Sequence, residues 1–392
     1  MSKLSLINRV KYSRTFYTLY YYIGSWAVGL LKLFVKADDK LIVFSCFGGR
    51  KYDDSPKAIY EAMLQDARFA GCRLVWAFMH PDGYQLPQGE KVKIDTLAYY
   101  KTLLQARVWV TNSSMLRGLY FTGKHTFQLN TWHGSAIKRM GDDINSGNTS
   151  FGIKGKSKIK GVMLAQGQYD VEVFSRAFHT PVENFRVIGL PRNDELAHAT
   201  KERQAAIKQK LVLSTEKKVI LYAPTFREYD KDGGKNVVLT PPINFRLWQE
   251  RLGMNYVLLF RAHYEVARVM GVEDTDFVKD VSAYPSLNDL ILASDLLISD
   301  YSSIFFDYAI QGKPMLCYVY DYDKYAEKRG MYFDIRQQLP SAESEEDLLK
   351  LIEQTDVSTE SGITRQFQRR YVTAYGDAAQ QSIDIIHEAI LT

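Results

Sequence analysis

Four short stretches place residues that can move a proton or grip an anion directly after an apolar run. The first is Leu129-Asn130-Thr131-Trp132-His133-Gly134-Ser135, with Lys138 and Arg139 close behind. An imidazole, with an ordinary pKa of about 6.5, suits removal of a proton from a hydroxyl that attacks phosphorus at neutral pH. Gly134 lets backbone approach a ligand, and Lys138 and Arg139 can face an anionic acceptor. The second stretch is Asp300-Tyr301-Ser302-Ser303, opening a helix that carries Asp307. Hydroxyls beside the free N–H groups of a helix start make a phosphate site. The third pairs Arg261-Ala262-His263 with Tyr222-Ala223-Pro224-Thr225-Phe226-Arg227, where Arg261, His263, Thr225 and Arg227 are candidate ligand contacts. The fourth is Gly189-Leu190-Pro191-Arg192-Asn193-Asp194.

Each has a structural reading beside the chemical one. A lone histidine at a strand end is more often a capped core residue, Ser302 or Ser303 can simply cap a helix, and a hinge needs only Gly and Pro. Four such stretches at strand ends, taken together, tip the balance toward chemistry.

The elements that position them follow a simple rhythm. Strand candidates are 41–46, 73–79, 107–111, 126–131 and 185–188, then 219–223, 256–261, 277–280, 296–299 and 315–319. Helical spacing lies between them, as in 55–65 and 286–293. Apolar strands alternating with helices predict parallel sheets covered on both faces, here an α/β chain of two Rossmann-like doubly wound domains. Ligands of such sheets bind beyond the carboxyl ends of the strands. The domains expected are 37–195 and 196–392, joined near the Pro191 stretch, with a capped helix starting after Ser344 and a final helix over 378–391.

The net charge of +5 is local: residues 1–36 carry +6 and no acid, so the rest of the 392-residue chain sums to −1. A body without a basic face argues against nucleic acid as a partner. Within 1–36, Thr15 to Val35 is apolar and rich in Tyr and Trp, residues that favour the headgroup boundary of a bilayer. A membrane-associating helical segment on an anionic surface is expected; an aromatic helix packed on the body is the alternative. Lys154, Lys156, Lys158 and Lys160 alternate along an extended stretch and suit headgroups, an acceptor diphosphate or plain solvent. Cys46, Cys72 and Cys317 read as reduced thiols, and no spacing suggests a metal or another cofactor.

The ordered set WHG…KRMG, GLPRND, YAPTFRE, the strand-end His263, SDYSS and Arg329-Gly330-Met331-Tyr332-Phe333-Asp334 resembles the CDP-glycerol glycerophosphotransferase family, the teichoic acid primases and polymerases and their capsule relatives. The resemblance spans roughly 40–340. It implies a GT-B-like fold with the donor in the C-terminal domain and peripheral attachment to the cytoplasmic face of the membrane. It also implies transfer of glycerol phosphate from CDP-glycerol, or another CDP-alditol, to a lipid-linked glycan acceptor such as teichoic acid or capsular polysaccharide, with release of CMP. By motif, His133 is the base, and His263, Ser302 and Ser303 meet the donor diphosphate. Asp300, Asp307 and the turn ending at Asp289 complete the donor pocket, and Arg192, Asn193 and Asp194 line the substrate cleft. Ala262 stands where Pro is common in the family, which puts His263 in more doubt than His133. A nucleotide-sugar glycosyltransferase of the same architecture is the rival enzyme, and a membrane-attached scaffold the rival from another class.

Overall fold

The computed structural model describes residues 13–144, 160–225, 227, 231–232, 235–236, 241–262 and 272–392; His263 and the lysines at 154, 156 and 158 lie outside them. The chain forms two compact units. Unit 1 comprises residues 1–133, 147–194 and 377–392; unit 2 comprises 134–146 and 195–376.

Unit 1 is built on seven strands: β1 (Asp38–Ser45), β2 (Arg73–Phe78), β3 (Glu90–Lys93), β4 (Ala106–Thr111), β5 (Phe127–Asn130), β6 (Lys160–Ala165) and β7 (Phe185–Val187). They pair in the order β3-β2-β1-β4-β5-β6-β7, parallel throughout. Both faces are covered, which is why β1 is apolar at successive positions rather than alternate ones. Ile42 and Phe44 pack with Ile59, Tyr60 and Met63 of the helix Asp54–Leu64 and with Ile383 and Ile386 of the helix Ala378–Leu391. Leu41 and Val43 pack on the opposite side with Tyr99, Leu103 and Leu104 of the helix Leu97–Gln105 and with Val28 of the helix Arg14–Leu33.

Unit 2 carries a second parallel sheet. Its strands are β8 (Lys218–Tyr222), β11 (Tyr256–Phe260), β12 (Val278–Asp280), β13 (Leu296–Ser299), β14 (Met315–Tyr318) and β15 (Ser341–Ala342), ordered β12-β11-β8-β13-β14-β15. A two-residue ribbon, β9 (Lys231–Asp232) and β10 (Lys235–Asn236), stands apart from it. The core centres on Ile220, Tyr222, Leu258, Phe260, Leu296 and Ile298, with Trp248 and Ile352 from covering helices. The helix Glu345–Gln354 begins as the sequence predicts, Ser344 Oγ accepting from the Asp347 N–H at 3.2 Å.

Among the described residues five strands escape the sequence reading: β3, β6 and the two-residue β9, β10 and β15. β3 reads EKVK with only Val92 buried, because an edge strand needs little apolar surface. β6 starts at Lys160, inside the lysine-biased stretch that masks its apolar end. The final helix, expected with the C-terminal domain, belongs to unit 1. Asp194 explains it. Its carboxylate accepts from the N–H groups of Ala378 and Ala379 at 3.0 and 2.7 Å, capping that helix, while Ile383 and Ile386 enter the unit 1 core.

The helix Arg14–Leu33 rests on unit 1 by one face. Tyr17 and Tyr20 donate to the carbonyls of Gly118 and Arg117, and Ser25 accepts from the Tyr120 N–H. Its other face is an apolar stripe at helical spacing: Phe16, Leu19, Tyr22, Ile23, Trp26, Leu30 and Leu33, each at least 40% exposed, with Phe34 following at 85%. Among the described residues no helix is long and apolar enough to cross a membrane.

Asp194→Ala removes a charged cap from two N–H groups at a helix start. A loss of about 1–2 kcal/mol is expected, measured as a lower urea midpoint, with Asp194→Asn losing less.

Candidate active site

In unit 1 the strand ends are pinned to one another. Where β4 stops, Asn112 is fully buried and works in three directions. Its Oδ1 accepts from the Phe47 N–H at 2.8 Å, its Nδ2 points at Cys46 Sγ at 3.4 Å, and its backbone carbonyl lies 2.8 Å from His133 Nδ1. A carbonyl can only accept, so in the neutral ring Nδ1 carries the proton and Nε2 keeps its lone pair. That is the tautomer a general base requires.

The loop after β5 aims the ring. Asn130 Oδ1 accepts from the Trp132 N–H at 2.9 Å, and Thr131 Oγ1 donates to the Trp132 carbonyl at 2.9 Å. Trp132 sits at φ +50°, a left-handed conformation that non-glycine residues adopt only when held there. Its indole stacks on the His133 imidazole with centroids 4.1 Å apart, and the Phe47 ring lies 5.6 Å from the same imidazole. The histidine is therefore held by contacts with two aromatic rings as well as by its hydrogen bond.

Arg192, Asn193 and Asp194 all have structural tasks in unit 1. Arg192 pairs with Asp54 at 2.8 Å, Asn193 Nδ2 donates to Gln166 Oε1 at 3.2 Å, and Asp194 caps the last helix. Their contribution in this arrangement is to brace the turn.

Past His133 the chain enters unit 2, and there two separate motifs meet. Lys138 bridges to Met331; the Tyr332 N–H donates to the Ile137 carbonyl at 2.8 Å and the Arg139 N–H to that of Gly330 at 3.0 Å. Tyr332 Oη then accepts from the Met140 N–H and donates to Asp143. Gly330 takes φ +74°, and a Cβ there would lie 2.8 Å from Arg139 Cδ, so the arginine side chain would have to shift. Lys138 and Arg139 thus stand on a ribbon formed with the Arg329–Phe333 stretch.

The main strand-end cluster of unit 2 is built around Arg227. Its side chain and that of Asp300 are 0% and 1% exposed, and Nη1 meets Asp300 Oδ2 at 2.8 Å. Nε and Nη2 form a fork onto Asp321 at 2.8 and 2.9 Å. The rings of Tyr301, Tyr320 and Tyr325 each lie 5.1 Å from the guanidinium carbon. Burial works against the charge, but Asp300 and Asp321 outweigh it and hold Arg227 firmly cationic. Asp300 also accepts from the N–H groups of Thr225 and Tyr301. Arg227 and Asp300 therefore tie the end of β8 to the end of β13, and their closure from solvent suits framing rather than touching a ligand.

Ser302 Oγ accepts from the Ile304 N–H at 3.3 Å, while the Ser303 hydroxyl makes no cap bond. Both are half-buried; Asp307, on the helix Ile304–Ala309, is buried. Thr225 Oγ1 is buried and has no hydrogen-bond partner among the described residues. Arg261 donates to the carbonyls of Val281 and Tyr284 at 3.2 and 2.7 Å, and Tyr284 Oη donates to Asp289 Oδ2 at 2.9 Å. Asp289 also pairs with Arg203 at 3.2 Å. Among the described residues no three His, Cys, Asp or Glu side chains gather as a metal site would need.

Sequence reasoning passed over Phe47, Asn112 and Asp321. The rule that selected His133, a polar residue just past a strand, applies equally to Asn112 after β4. Asp321 and Phe47 acquire their partners only through folding.

Polar clusters beyond the strand ends of two parallel sheets stand where ligands of such sheets bind. The sequence matches the family model for CDP-glycerol:poly(glycerophosphate) glycerophosphotransferase over residues 28–388, and the chain belongs to that family. It is 32% identical to a teichoic acid glycerol-phosphate transferase of Staphylococcus aureus, over 90% of this chain and 94% of that protein. It is also 32% identical to a teichoic acid poly(glycerol phosphate) polymerase of Staphylococcus epidermidis, of which it spans about half, 51%. Among solved structures, the wall teichoic acid polymerase TagF matches with a TM-score of 0.80 at 32% identity, over 91% of this chain and 90% of that one. A TagF variant soaked with CDPG matches at 0.82 over the whole chain.

Arg227→Met should cost about 3–5 kcal/mol, because Asp300 and Asp321 are left as uncompensated buried charges. Chemical denaturation checks this, and Arg227→Lys should recover only part, having lost the planar fork.

Proposed function

We propose that this protein transfers glycerol phosphate from CDP-glycerol to a membrane-held, lipid-linked acceptor of the teichoic acid or capsule type, with His133 as general base. Family membership supports the reaction class, and the observation that carries the residue assignment is the 2.8 Å contact between His133 Nδ1 and the Asn112 carbonyl. Unit 1 supplies the acceptor side and unit 2 the CDP-bearing side.

The step is a displacement at the β-phosphorus of the donor. The acceptor hydroxyl oxygen bonds to phosphorus as its proton passes to His133 Nε2. The bond from phosphorus to the α–β bridging oxygen breaks, and CMP leaves with that oxygen. Charge building on CMP is met by Ser302, Ser303 and, by motif alone, His263. The buried Arg227–Asp300–Asp321 network holds the two strand ends on which this pocket would stand.

The helix Arg14–Leu33 lies in the membrane interface. Its exposed stripe is apolar and aromatic, Arg14 and Lys36 flank it as exposed cations, and there is no acid in the first 36 residues. On this reading the enzyme works at the cytoplasmic face, beside a lipid-linked acceptor.

His133→Ala should lower turnover by about 10²–10⁴ while a thermal-shift assay still registers CDP-glycerol. Near-normal turnover of that variant would sink the base assignment. For the anchor, Trp26→Glu with Leu30→Glu should abolish co-flotation with vesicles containing anionic lipid. Undiminished flotation would show that the stripe does not carry membrane binding.

A further inference from the structure

The loop from Cys46 to Asp54 belongs to none of the motifs above, yet it adjoins the base. Phe47, Gly48 and Gly49 take φ values of +48°, +63° and +81°, three left-handed residues in succession that turn the chain sharply after β1. Gly49 cannot be replaced without rearrangement, since a Cβ there would lie 2.1 Å from Ile94 Cδ1 and 3.0 Å from the Ala77 carbonyl oxygen. The turn is anchored to the loop that holds the imidazole: Phe47 N–H donates to Asn112 Oδ1 and Gly48 N–H to Ser113 Oγ at 3.0 Å.

What this rigid turn presents is positive charge. Arg50 and Lys51 are exposed, and neither has a carboxylate partner among the described residues. Among the described residues Arg50 Nη1 donates to the Phe47 carbonyl, and Lys51 Nζ lies 5.7 Å from the centre of the Phe47 ring, itself 5.6 Å from His133. Two neighbouring charges, Arg117 and Asp54, have partners of their own. Arg117 makes a fork onto Asp95 with both contacts at 2.9 Å, and Asp54 is held by Arg192. Asp53 and Asp54 lie toward Cys46, whose thiol is pushed up by burial first and then by these two carboxylates.

Resting on the reading of His133 as the base, we infer that Arg50 and Lys51 bind the phosphodiester adjoining the attacking hydroxyl of the acceptor. In a poly(glycerophosphate) chain that phosphodiester stands one three-carbon unit from the terminal hydroxyl. An acceptor with its hydroxyl at His133 thus brings an anion beside the Phe47–Lys51 turn. The pair would then select acceptors that already end in glycerol phosphate over those with an uncharged end.

The test uses the full chain and the double variant Arg50→Gln, Lys51→Gln, whose exposed side chains leave the core intact; a matching thermal melt verifies folding. Two synthetic lipid-linked acceptors serve as substrates with CDP-glycerol, identical except that one ends in a glycerol phosphodiester and the other in an uncharged hydroxylated group. The variant should raise KM for the diester acceptor by about tenfold to a hundredfold, with kcat within about twofold, and leave KM for the uncharged acceptor unchanged. Added salt should weaken the diester acceptor for the wild type more than for the variant. An unchanged KM for the diester acceptor, or equal losses on both acceptors, would overturn the inference. So would a loss of vesicle flotation in the variant with unchanged KM, which would assign the two cations to lipid headgroups instead. A wild-type protein inactive on both acceptors would remove the transferase reading itself.

Discussion

Parallel strands end abruptly, and the backbone groups just beyond each end need partners that the sheet no longer provides. In this protein buried polar side chains meet part of that need, Asn112 in unit 1 and Asp300 in unit 2 foremost. Asn112 collects the Phe47 N–H and leaves its own carbonyl to the His133 imidazole. Asp300 collects the N–H groups of Thr225 and Tyr301 and binds Arg227. The first arrangement orients an imidazole through a backbone carbonyl. The second sets one guanidinium against two carboxylates, and its cost of burial is offset by the hydrogen bonds that each guanidinium nitrogen makes.

That contrast between held and unheld charge runs through the whole chain. Arg68, Arg73, Arg117, Arg192, Arg251, Arg336 and Arg365 all face carboxylates. Arg50 and Lys51, like Arg107 and Arg186, have no carboxylate partner among the described residues, and the segment bearing Arg14, Lys32 and Lys36 holds no acid. A protein whose body sums to nearly zero charge directs anionic partners chiefly through the cations it leaves uncompensated.

Much of the fold was legible from the sequence because buried parallel strands are apolar at consecutive positions. The ranges 41–46 and 296–299, for example, fall on β1 and β13. Legibility failed where composition and role diverged. Lys160–Ala165 is a central strand beginning among lysines, and Glu90–Lys93 is an edge strand with one apolar contact. The candidate site was legible in the same uneven way. His133 and Ser302–Ser303 stand just past strands, as the sequence places them, and Arg192, Asn193, Asp194, Arg227 and Asp300 are expected there as ligand contacts. Folding engages all five with one another or with their own unit. A charged residue near a motif reads the same in one dimension whether it faces a substrate or a buried carboxylate.

By itself the sequence determined the α/β class, the two successive sheets, the strand-end histidine and the charge-segregated aromatic segment at the N-terminus. These are properties of local composition and period, so no long-range information was needed. Only the tertiary structure decided that residues 134–146 join unit 2, that the last helix returns to unit 1 under the Asp194 carboxylate, and which nitrogen of His133 keeps its lone pair. It also decided that the apolar stripe of the first helix is the face turned away from unit 1. Each of these depends on a partner far along the chain, such as Asn112 for His133 or Ala378 for Asp194, and pairing across such distances is set by packing rather than by neighbouring residues.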